Sequence, residues 1–93
     1  MFLEAGSKGI LELLLLNNKS WRRLDPTLAI RLERTINRLL NSETIEILAA
    51  LTVLDLKFYN DHYQVRVDGN YRLWFTVGPD GTLKVEDFDE GNH

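Results

Sequence analysis

The stretch from His62 to Val77, HYQVRVDGNYRLWFTV, leaves this chain few choices, because apolar and polar residues alternate on both sides of a turn. It reads as two β-strands joined by Asp68-Gly69-Asn70. Alternation places Tyr63, Val65, Val67, Tyr71, Leu73, Phe75 and Val77 on one face. The other face carries Gln64, Arg66, Arg72, Trp74 and Thr76. If the turn closes with Val67 opposite Tyr71, Arg66 lies directly across from Arg72. Like charges facing one another across a ladder are destabilising. Two readings of the pair stand: a site offered to an anion such as phosphate, or two solvated arginines on an open sheet face.

A second turn follows at Gly78-Pro79-Asp80-Gly81, where proline presets the first central position and glycine accepts positive φ. A type I turn with a bulge at Gly81 pairs Gly78 with Thr82. That register sets Phe75 opposite Val85 on the apolar face. On the polar face it sets Thr76 opposite Lys84, Trp74 opposite Glu86 and Arg72 opposite Phe88. Both turns agree on which face is buried.

Upstream the pattern is helical. Met1 to Ala5 is a short first strand at most. Ser7 resembles an N-cap before Ile10, Leu11, Leu14 and Leu15, in a helix expected to end near Asn17-Asn18. Asp25-Pro26 is the clearest helix start, since aspartate caps free backbone donors and proline at the first position loses no hydrogen bond. From there Leu28, Leu32, Ile36, Leu39 and Leu40 trace an apolar face, with Arg31, Arg34 and Arg38 in a basic stripe beside it. That stripe reads first as a solvated helix face, with an acidic partner or an RNA backbone as functional alternatives. Ile45 to Leu51 reads as a further helical turn or two, and Thr52 to Phe58 as a strand. The expected fold is α+β: two N-terminal helices packed on one face of a small antiparallel sheet, in a single domain spanning residues 1–93.

Composition narrows the chemistry. The 93 residues suffice for one core, and an apolar fraction of 44% is ordinary for a globular chain. Cysteine is absent, which removes disulfide, thiolate and cysteine–zinc readings. The two histidines and scattered carboxylates show no ligand spacing, so no metal and no cofactor is expected. The apolar run Leu13 to Leu16 cannot span a bilayer, and Glu4 and Glu12 interrupt any signal-peptide pattern. A soluble cytoplasmic protein is the expectation. The net charge of −3 divides into +1 over residues 1–60 and −4 over residues 61–93, so any nucleic-acid role must rest on a local patch.

Two segments resemble one family. Trp21-Arg22-Arg23-Leu24-Asp25-Pro26, followed by a basic amphipathic helix, is similar to the second-helix entrance of RelE/ParE-type toxins. Tyr63-Gln64-Val65-Arg66-Val67 and Gly69-Asn70-Tyr71-Arg72-Leu73 resemble that family's central hairpin. The ending from Val85-Glu86-Asp87-Phe88 to His93 is placed like the last strand of the HigB-like branch. The resemblance implies a toxin of a type II toxin–antitoxin module, bound by a cognate antitoxin. It implies either cleavage of messenger RNA, on the ribosome in many members, or poisoning of DNA gyrase. By the same mapping Arg72 is the family's post-turn arginine and Arg66 a frequently basic strand position. Lys57 lies where HigB-like members carry a histidine and a lysine, with Asp55 and Leu56 standing where the histidine would be.

RNA cleavage through the 2′-hydroxyl needs a base, a cation at the nonbridging oxygens and an acid for the leaving oxygen. The candidate catalytic groups are therefore Arg66, Arg72 and His93, the last because imidazole titrates near neutrality. Lys57, Gln64, Trp74 and Lys84 are the candidate RNA-binding groups, with Trp74 able to stack on a base. His62 reads as structural or solvent-facing, and Asp89 and Glu90 as a charged terminus. The alternative is a RelE/ParE-like protein without nuclease activity, acting on gyrase or only as an antitoxin-binding module.

Overall fold

The computed structural model describes residues 1–14 and 25–90. In chain order these form β1 (Leu3–Ala5), α1 (Lys8–Leu14), α2 (Pro26–Asn41), α3 (Ile45–Ala50), a 3₁₀ turn (Thr52–Leu54), β2 (Lys57–Tyr59), β3 (His62–Asp68), β4 (Tyr71–Val77) and β5 (Leu83–Glu90). The five strands make one sheet in the order β1-β5-β4-β3-β2. β1 runs parallel to β5, so the sheet is mixed rather than the wholly antiparallel one expected. Its backbone also approaches β5 closely at Gly6, whose N–H donates to the Val85 carbonyl at 2.8 Å. A Cβ at Gly6 would lie 2.9 Å from that carbonyl oxygen, so the approach needs glycine.

The helix signals act as their chemistry dictates. Asp25 caps α2, accepting from Thr27 N–H at 3.0 Å and Leu28 N–H at 3.3 Å, with Pro26 in the first turn. Ser42 ends it by returning both its N–H and its hydroxyl to the Arg38 carbonyl. Leu28, Leu32, Ile36 and Leu39 are buried against Val65, Leu73, Phe75, Leu83 and Val85 of the sheet, and Ile10 of α1 joins the same cluster. Leu40, read as part of the apolar face, is instead 47% exposed, and so is Leu11. Each lies one position round the helix from the buried stripe. The Trp21–Leu24 segment, Leu15 and the end of the first helix lie outside the described residues.

The strands depart from expectation in three places. The first is in the segment 52–58, expected as one strand. It makes a 3₁₀ turn that buries Leu54, followed by the short strand β2. β2 joins β3 through Asn60-Asp61, both with positive φ (48° and 65°), a conformation that suits a two-residue hairpin. The second concerns the β3–β4 turn, which is shorter than expected: Asp68 pairs with Tyr71 and Val67 is an extra, bulged residue. Arg66 still faces Arg72.

The third departure is in β5. Phe75 pairs with Val85 and Thr76 with Lys84 as expected, through a turn in which Gly81 takes φ 85°. Beyond Val85 the register slips by one residue at Glu86. Strict alternation would have turned Asp87 into the core and Phe88 out to solvent. The bulge sets Phe88 opposite Leu73, its ring stacked 5.5 Å from Tyr71, and moves Asp87 opposite Trp74 and Asp89 opposite Arg72.

The helix-face assignment is testable by urea denaturation. Leu32, fully buried, should cost about 2–5 kcal/mol on replacement by alanine. Leu40→Ala should cost about 0.5 kcal/mol or less, as for a surface change. Equal costs would contradict the assignment.

Candidate functional site

The polar face of the sheet is organised in cross-strand rows. One row runs Lys57–Gln64–Trp74–Asp87 from β2 to β5, and the next runs Arg66–Arg72–Asp89. These two rows are electrically divided, with cations on β2, β3 and β4 and carboxylates on β5.

Arg66 and Arg72 meet side by side, and they do so on a carboxylate. Asp55 Oδ2 accepts from an Nη2–H of Arg66 at 3.0 Å and from an Nη2–H of Arg72 at 2.9 Å. Lys57 Nζ lies 3.6 Å from the same oxygen. Arg72 also reaches the Asp55 backbone carbonyl through Nη1, at 3.5 Å. Nothing in the spacing of the sequence foresaw this fourth member. Asp55 follows the 3₁₀ turn whose Leu54 is anchored in the core, and it takes the left-handed conformation (φ 45°, ψ 54°) that turns its side chain away from that anchor. Aspartate tolerates this conformation better than most residues.

The cluster is graded in exposure. The Arg72 side chain is 12% exposed and that of Asp55 32%, while Arg66 and Lys57 reach further into solvent. The hydrogen bond from Arg72, helped by the charges of Lys57 and Arg66 and opposed by partial burial, holds the Asp55 carboxyl below its usual range. Three cations share one carboxylate, so the cluster keeps an excess of positive charge. Asp55 is a weak base for the same reason, and it serves poorly as a proton acceptor.

The other candidates are dispersed. Lys57 belongs to the cluster, and Gln64 and Trp74 occupy the neighbouring row. Trp74 donates its indole N–H to Asp89 at 3.1 Å. Lys84 is paired with Thr76, four residues along β4 from Arg72 and thus roughly 13 Å away. It is not part of the arginine site. His93 lies outside the described residues. His62 lines a cavity of about 380 Å³ with Tyr59, Trp74, Asp87 and Asp89. Its Nδ1 lies 2.9 Å from the Asn60 carbonyl, which can only accept, so in the neutral ring Nδ1 carries the proton and Nε2 the lone pair. His62 stands four residues from Arg66 along β3, too far to serve a group held there.

On the opposite side, Arg31, Arg34 and Arg38 line a shallow groove of about 200 Å³ with Val53 and Val67. Arg31 is bound to Asp68 of the β3–β4 turn at 2.5 Å. Among the described residues, no group of three or more histidine, cysteine or acidic side chains is placed to hold a metal ion, and no helix is long and apolar enough to cross a membrane. No protein-family model, curated protein or solved structure matches the chain.

The charge arrangement predicts acid behaviour. Because the folded-state pKa of Asp55 is depressed, its contribution to stability is complete above about pH 4 and falls away as pH drops through the depressed value. Asp55→Asn should therefore lower stability at pH 7 and flatten its decline below pH 4, as followed by circular dichroism. Parallel acid branches for the two proteins would rule the linkage out.

Proposed function

We propose that this chain is the toxin of a type II toxin–antitoxin pair, built on a RelE/ParE-like fold of the HigB-like branch, and that it cleaves messenger RNA. Two N-terminal helices packed on one face of the sheet, leaving the arginine face open, are part of that reading. The observation that carries it is the meeting of two guanidinium groups, from adjacent strands, within 3.0 Å of one oxygen atom. Donors so disposed suit a nonbridging phosphate oxygen, on which negative charge builds as a ribose 2′-oxygen attacks phosphorus and the 5′-oxygen leaves. In this reading Arg66 and Arg72 hold that charge, Lys57 raises the local potential, and Gln64 and Trp74 receive the adjoining nucleotide. His93 moves the proton. The reaction needs no cofactor. The partners are a cognate antitoxin and messenger RNA, free or on the ribosome, in the cytoplasm.

A second reading has a specific observation in its favour. Asp55 already occupies the point of convergence, and its weak basicity makes it a poor proton acceptor there. A RelE/ParE-like protein that binds its antitoxin, or gyrase, without cutting RNA fits that arrangement.

Induction in a bacterial host separates the two. The nuclease reading predicts growth arrest with shortened transcripts, relieved by Arg72→Ala and by His93→Ala. For Arg72→Ala the loss of cleavage should be about 10²–10³-fold, the range for removing one charge-stabilising donor. Growth arrest with intact transcripts and altered plasmid supercoiling would assign the gyrase reading, and unimpeded growth would remove the toxin reading.

A further inference from the structure

We propose that Asp55 is an intramolecular competitor for the anion site: its carboxylate occupies the place of an RNA phosphodiester, which must displace it to reach Arg66 and Arg72. The proposal rests on the RNA-directed reading above and concerns the control of the same site. One carboxylate oxygen receives both guanidinium N–H donors, and the third cation stands 3.6 Å from it. This arrangement, two guanidinium donors and a point charge about a single anionic oxygen, suits a phosphate oxygen.

Three features make Asp55 a replaceable occupant rather than a buried strut. Its side chain is 32% exposed, so the carboxylate can exchange its partners for water. Its backbone is fixed independently, by the Leu54 anchor and by the Asp55 N–H donating to the Thr52 carbonyl at 3.1 Å, so rotation about χ1 vacates the site without unfolding the turn. Finally, the three cations exceed Asp55 and the neighbouring Asp89 together in charge, so a phosphodiester entering in place of the Asp55 carboxylate meets a net attraction.

RNA is favoured over an acidic protein as the occupant by what lies next to the site. In the neighbouring row Gln64 and Trp74 face the same side, offering an amide and an aromatic surface two residues along each strand, roughly 7 Å away. The carboxylates of β5, with Asp89 bound to the Trp74 indole and opposite Arg72, oppose any polyanion lying across the sheet, so the occupant runs along β3 and β4. The flat Trp74 ring beside the cations suits a nucleobase next to its phosphate, which an acidic side chain does not supply.

The test measures binding of a short single-stranded RNA oligonucleotide by fluorescence anisotropy, using the full chain. Asp55→Asn removes the charge while keeping a residue suited to left-handed backbone, and Asp55→Gly serves as a second variant should Asn perturb the turn. Removing one negative charge at contact distance should tighten RNA binding about tenfold and steepen its salt dependence. The double variant Asp55→Asn/Arg72→Ala should lose the gain. Affinity in both single variants equal to or weaker than in the unmodified chain, no binding in any of the three included, would overturn the competitor role. So would tightening toward poly-aspartate and not toward RNA. Cleavage is read separately: tightened binding without cleavage removes the nuclease reading and leaves the competitor, whereas cleavage with unchanged affinity removes the competitor and leaves the nuclease.

Discussion

One carboxylate oxygen shared between two arginines on neighbouring strands is the constraint around which the polar face is arranged. Arg66 and Arg72 occupy directly opposed positions in the β3–β4 ladder. Without an anion between them, the pair would repel at close range. Asp55 offsets that repulsion, and it can do so only because a 3₁₀ turn and a left-handed residue carry it from the core side to the sheet's polar side. Local backbone geometry, the sheet register and the electrostatics of the site are thus one arrangement.

The sheet bulges also shape the polar face. Val67 and Glu86 are each the extra residue at a slip in register. The first lets the chain turn tightly at Gly69-Asn70 while keeping the arginines opposed. The second exchanges Asp87 for Phe88 on the buried face and, as a consequence, brings Asp87 and Asp89 beside Trp74 and Arg72. The acidic border of the site thus accompanies the packing of Phe88, partly buried, against the core.

Much of this was legible from residue types alone. The Arg66–Arg72 opposition, the Asp25-Pro26 helix start and the Gly81 bulge each followed from local chemistry that tertiary context did not override. What was not legible depended on contacts distant in sequence or on one-residue slips. A strand read as strictly alternating cannot reveal a bulge, although the Asp87-Phe88 pair, polar then apolar in the wrong phase, carried the hint. Asn60-Asp61 between Phe58-Tyr59 and His62-Tyr63 was a hairpin signal that the expected longer strand obscured. Asp55 could not be placed at all, because its partners lie 11 and 17 residues away and its position depends on a left-handed turn.

In the reading proposed above, Arg66 and Arg72 form an anion cradle, which Asp55 fills when no other anion is present. Crystals of the Asp55→Asn variant grown with selenate would show that cradle. Anomalous density between the two guanidinium groups, on the point otherwise held by the carboxylate, is the predicted result. Arginines swung apart into solvent, with no anion between them, would contradict it.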